Sequence, residues 1–99
     1  MVLARRGLLT RLSDGPKYEE LATLGDQTLL RGVMNVDGWN QYHIIARGNR
    51  LQHYINGVLM ADVTDNDTRF RRLRGLLGVQ VHVGPPMKVE YRNFRVKRL

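Results

Sequence analysis

Leu51-Gln52-His53-Tyr54-Ile55-Asn56-Gly57-Val58-Leu59-Met60 is the stretch that decides the fold. Leu51, His53 and Ile55 share one face of an extended chain, and Gln52 and Tyr54 share the other. Asn56-Gly57 follows, and both residues tolerate the positive φ of a type I′ turn. It therefore predicts an antiparallel return over Val58–Thr64. Upstream, Gly48-Asn49 predicts a second tight turn. It is preceded by a strand over Trp39–Ala46 with Tyr42, Ile44 and Ala46 on one side. From Trp39 onward the chain reads as a β-meander.

Working outward, Asp65-Asn66-Asp67-Thr68 and an arginine-rich piece form a polar link. Leu76–Val83 predicts the next strand, with Val79, Val81 and Val83 on one face and Gln80 and His82 on the other. Gly84-Pro85-Pro86 stops it by removing backbone donors. Lys88–Leu99 predicts the last strand. Its apolar parity changes from Val89 and Tyr91 to Phe94 and Val96, so a bulge is expected near Arg92-Asn93. Toward the N-terminus, Gly7–Leu12 predicts a strand and Ser13–Pro16 a turn, with a short helix over Lys17–Thr23 as an alternative. Asp26 caps a brief helix over Gln27–Arg31 that Gly32 ends. The sum is an all-β chain, part of an antiparallel β-sandwich. This segment offers little to cover its sheet. The second layer is therefore expected from residues not in this chain or from another chain.

The chain has 99 residues, enough for one small domain. Its composition, 42% hydrophobic and 25% charged, is that of a soluble globular protein. No cysteine is present, which excludes disulfides and thiolate chemistry. No apolar run is long enough to span a bilayer. Arg5 and Arg6 interrupt the first apolar residues, so no signal peptide is read there, and the compartment stays open. The net charge of +7 permits an anionic partner. The clusters at Arg69–Arg74 and Arg92–Arg98 read as solvated faces, and aromatics for base stacking are few. Nucleic acid is therefore not the expected partner.

His82 is the first candidate for proton transfer, because an imidazole titrates near working pH. Gln80 lies one pleat away on the same face and offers an amide N–H; the alternative is a solvated strand face. His53 sits on the face expected to be buried and reads as a satisfied core histidine. His43 reads as a surface or cleft-wall residue. The three histidines lack the spacing of zinc sites, and no metal or cofactor is expected. Asp62–Asp67 lacks the glycine and closing glutamate of an EF-hand loop and reads as turn chemistry. Glu90 reads as an ion-pair partner of Lys88 or Arg92. Trp39 is a candidate for stacking on a sugar ring, or for packing at a strand start. Pro85 and Pro86 are candidate cleft walls beside His82.

Several of these segments together resemble one family. They are Gly38-Trp39-Asn40-Gln41-Tyr42, the hairpin Gly48–Gly57, Gly75–Val89 with its Val79-Gln80-Val81-His82-Val83-Gly84-Pro85-Pro86-Met87, and Tyr91-Arg92-Asn93-Phe94-Arg95-Val96-Lys97. They resemble the 3-keto-disaccharide hydrolases. The resemblance is specific over 39–99 and looser over Arg5–Met34. It implies a concanavalin A-like jelly roll about twice this length, with residues 1–99 as its C-terminal half. It also implies commonly exported members and a 3-keto-sugar substrate. The implied reaction removes the proton on C2, which the C3 ketone acidifies, expels the group on C1 and adds water. His82 and Gln80 would then be catalytic, with Trp39, Pro85 and Pro86 near the substrate. The rival readings are a lectin-like module without catalysis and an inactive truncated fragment.

Overall fold

The computed structural model describes residues 4–99, so the leader reading at Met1–Leu3 lies outside the described residues. Among the described residues five strands and one short helix form. They are β1 Leu8–Ser13, β2 Lys17–Thr23, α1 Gln27–Gly32, β3 Tyr42–Arg47, β4 Arg50–Ile55 and β5 Val58–Asp65. The chain is all-β, as expected. The strands make one sheet of order β2-β1-β5-β4-β3.

The central hairpin folds for the reason its sequence gives. Asn56 and Gly57 take φ of 51° and 81°, which the right-handed twist of β4 and β5 requires of a two-residue turn. Asn56 does more than turn the chain. Its amide donates to Val33 O at 3.0 Å and Asn40 Oδ1 at 2.9 Å, and its Oδ1 accepts from Gln41 N at 2.9 Å. Asn35 holds the same loop by donating to Trp39 O at 3.0 Å. These side chains take over the backbone groups near residues 39–41. The strand expected from Trp39 therefore begins only at Tyr42.

Lys17–Thr23 is a strand, so the helical alternative there is corrected. A seven-residue helix gains little alone, whereas this segment pairs with β1 from Ser13↔Lys17 to Leu8↔Thr23. The cross-strand pair Arg11–Glu19, at 2.6 Å, supports the register. A second difference is that β1 runs parallel to β5, with Leu8 opposite Ala61 and Leu12 opposite Asp65. Three strands and α1 separate the two, and a parallel pair needs such a long connection. Gly7 N donates to Met60 O at 2.6 Å and Asn66 N to Leu12 O at 2.7 Å, which extends the ladder at both ends.

The core lies over this parallel seam: Leu12, Met60, Ala61 and Val63 are buried, and Leu30 of α1 is buried beside Gly7 and Gly25. Asp26 starts the helix by accepting from Thr28 N at 2.9 Å and Leu29 N at 3.2 Å. Gly7 is needed beneath it. Its φ is +85°, and a Cβ there would stand 2.6 Å from Gln27 Nε2.

The strands expected at Leu76–Val83 and Lys88–Leu99 do not form. Residues 74–99 carry no ladder, and Val81 and Val83 are fully exposed. Alternation favours an extended chain, but a strand exists only against a paired neighbour. The expected bulge likewise has no ladder to interrupt, although Asn93 bends the chain with a φ of 58°. The sheet keeps its open outer edges at β2 and β3. Tyr42 and Ile44 stay about half exposed beyond the reach of α1, at 56% and 48%. No described helix is long and apolar enough to cross a membrane.

Candidate functional site

Gln80, His82, Pro85 and Pro86 lie together in the exposed segment after the sheet. His82 Nδ1 is 3.1 Å from Val83 O. A carbonyl oxygen only accepts, so in the neutral ring this contact places the proton on Nδ1 and the lone pair on Nε2. The ring rests against the Gly84 bend, where a Cβ would lie 3.5 Å from Nδ1. Trp39 is elsewhere engaged: the Arg92 guanidinium covers its ring at 3.9 Å from the centroid. None of these residues lines either of the two cavities described below, and Val81 and Val83 have no face to pack on.

A different histidine stands at a cavity. The Gly48-Asn49 turn sets the register Ile44↔His53 and Tyr42↔Ile55, which makes Tyr42 a diagonal neighbour of His53 on one face. Tyr42 Oη and His53 Nδ1 are 2.6 Å apart, and the rings meet edge to face at 5.6 Å. His53 Nε2 is buried and has no hydrogen-bond partner among the described residues. Burial pushes the imidazole below its ordinary 6.5 and the Tyr42 phenol above its ordinary 10.0. His53 is thus only half satisfied, where the sequence reading expected a satisfied core residue. The cavity measures ≈ 170 Å³ and is lined by Arg6, Met34, Tyr42, His53, Ile55 and Met60, among others. The contact of Tyr42 with His53 was missed in the sequence reading. The signal was present, since the two-residue turn fixes its diagonal relation to His53.

The opposite face is ionic. Arg50 grips Asp62 with two bonds of 3.0 and 2.7 Å, and Gln52 adds a third at 3.2 Å. The Asp62 side chain is 4% exposed. The Arg50 hydrogen bonds hold its carboxyl below the ordinary 3.8. Ile45, Arg47, Arg50 and Gln52 line a second hollow of ≈ 240 Å³. The turn reading of Asp62–Asp67 is corrected: Asp62–Asp65 close strand β5, where pairing with β4 satisfies the backbone, and turn chemistry begins only at Asp65. Asp65 accepts from Asp67 N and Asp67 from Arg69 N, each at 3.0 Å. Glu90 pairs with Lys88 at 3.0 Å. Among the described residues, no three His, Cys, Asp or Glu side chains converge on a metal position.

These shifts fix the acid sensitivity of the fold. Both folded values lie below the unfolded ones, so each contribution is complete above the ordinary pKa and is lost as pH falls through the lowered value. Stability is expected to decline in two stages, first below 6.5 from His53 and then, below the ordinary carboxylate range, from Glu19, Asp14 and Asp62 together. Urea melts at a series of pH values measure both stages. His53→Gln should remove the first, and its persistence in that variant would assign it to another group.

A family model described as 3-keto-alpha-glucoside-1,2-lyase-like domain matches residues 11–97. That family is a concanavalin A-like jelly roll. Comparison with curated proteins and with solved structures returns no match.

Proposed function

Because the chain belongs to the 3-keto-alpha-glucoside-1,2-lyase-like domain family, we propose that it acts on 3-keto-glycosides or 3-keto-disaccharides, with His82 as the base. His82 Nε2 takes the proton from C2. The C2–H electrons form the C1=C2 double bond, and the C1–O bond breaks to expel the aglycone. Water adds its hydroxyl at C1 and a proton returns to C2, so the net reaction is hydrolysis. Gln80 donates its amide N–H to an oxygen of the sugar or to the developing enolate. Trp39, Pro85 and Pro86 border the sugar.

The observation that carries this reading is the family match running through Gln80-Val81-His82 and the prolines. The His82 tautomer supports it. With Nδ1 committed to Val83 O, Nε2 is the lone-pair nitrogen a base needs. The family description, a 1,2-lyase of 3-keto-α-glucosides, fits the same bond changes. We also read residues 1–99 as the C-terminal half of the jelly roll, with the half-exposed Tyr42 and Ile44 facing a second layer. In that assembly the Val79–Val83 alternation gains a paired edge, and His82 and Gln80 project from it together.

Release of p-nitrophenol from p-nitrophenyl 3-keto-α-glucoside tests the reading, alongside binding of the same sugar by calorimetry. Turnover with binding is expected. Binding without turnover would make the chain a lectin-like module, and the absence of both would remove the sugar from its function.

A further inference from the structure

The two open edges of the sheet are not alike. β2 carries Lys17, Glu19 and Glu20, the kind of charged residues that keep a free edge from pairing. β3, Tyr42-His43-Ile44-Ile45-Ala46-Arg47, has no proline, and its one full charge is Arg47 at its end. Every residue of β3 except Ile45 is exposed. Gln41 O accepts from Asn56 N at 2.9 Å, so the backbone groups of residues 41, 43, 45 and 47 face β4. Those of Tyr42, Ile44 and Ala46 face outward, because backbone groups alternate sides along a strand. This edge is an unguarded row of donors and acceptors.

The row matches itself. An antiparallel second copy centred on Ile44 sets Ile44 against Ile44, Tyr42 against Ala46 and His43 against Ile45. Each outward residue then meets an outward residue, for about six hydrogen bonds. Arg47 falls opposite Gln41, so no like charges meet. Tyr42 and Ile44, about half exposed in the single chain, enter apolar cross-strand pairs. The surface also has the area. The chain exposes 8556 Å², against about 5,800 Å² for a compact monomer of 11.4 kDa. The excess is larger than the ~800 Å² that each partner of a standard interface buries.

We propose that two copies of this chain join edge to edge through β3, an antiparallel pair about a two-fold axis at Ile44 that carries the five-stranded sheet into a second copy. The occupant is a second copy because one strand supplies both halves of the match. The net charge of +7 repels a second copy, so association tightens as salt rises. The interface depends on no step of the sugar chemistry.

Sedimentation equilibrium of the full chain reads the mass, and amide hydrogen exchange by NMR reads the edge. A dimer that tightens with salt is expected, with the Tyr42, Ile44 and Ala46 amides gaining protection as protein concentration rises. Ala46→Pro removes one outward donor from each copy, at an edge position that tolerates proline. It should weaken the dimer about tenfold or more, the scale of two hydrogen bonds. Ile44→Lys sets two ammonium groups opposite each other across the axis and should weaken it as well. Melting curves check the fold of both variants, and the wild-type exchange pattern decides the matter without them. A monomer at every concentration overturns the proposal. If its β3 amides are protected nonetheless, the edge belongs to the Val79–Val83 segment of the same chain. A dimer whose β3 amides exchange freely joins elsewhere and overturns it too. Sugar turnover by a monomer would leave the functional reading intact, and a β3 dimer without turnover would support this interface alone.

Discussion

His82→Ala is expected to lower turnover of a 3-keto-α-glucoside by about 10²- to 10⁴-fold, the usual contribution of a positioned base. Affinity for the same sugar should stay within about twofold, because a group that acts chiefly on the transition state leaves ground-state binding nearly unchanged. The variant should fold normally, since His82 is exposed and its one hydrogen bond is to the neighbouring carbonyl. Steady-state rates and calorimetry separate the two quantities. An equal loss in binding and turnover would make His82 a sugar contact. No loss in either would place the base elsewhere.

Met60→Ala is expected to destabilise the fold by about 2–4 kcal/mol, the range for emptying a buried aliphatic site. Met60 is 3% exposed and is one of five buried apolar side chains among the described residues. Its carbonyl also accepts from Gly7 N, where β5 meets the entry to β1. Small domains hold only about 5–15 kcal/mol of stability in total, so one such site is a large share. Met60 is also a cavity wall beside His53. Its truncation should therefore enlarge that cavity as well as lower the urea midpoint. A midpoint within about 0.5 kcal/mol of wild type would show that the seam collapses around the gap.

The sheet was legible where local chemistry specified it. Asn56-Gly57 and Gly48-Asn49 are two-residue turns, and each fixes a register that the alternation of Leu51, His53 and Ile55 then satisfies. Asp26 declared its helix in the same way. The parallel seam of β1 on β5 was not legible, because it joins segments far apart in the chain and no local pattern encodes the direction of a distant partner. The start of β3 shifted because asparagines 35 and 56 capture the loop before it.

Residues 76–99 mark the limit of pattern reading. Val79, Val81 and Val83 alternate as a strand should, yet alternation names a face and not the surface that covers it. The candidate site divides along the same line. His82 and Gln80 follow from period two and from the family resemblance. The Tyr42–His53 pair follows from a register, and that diagonal was there to be derived from Gly48-Asn49. The orphan status of His53 Nε2 was beyond sequence, because it depends on which atoms fail to arrive.

The most direct test of the central claim is cleavage of a 3-keto-α-glucoside in D₂O, with the sugar product read by proton NMR. Proton abstraction at C2 followed by water addition predicts deuterium at C2 in the product of the first turnovers, lost together with turnover in His82→Ala. A product that keeps its C2 proton, or cleavage that survives without His82, would contradict the account.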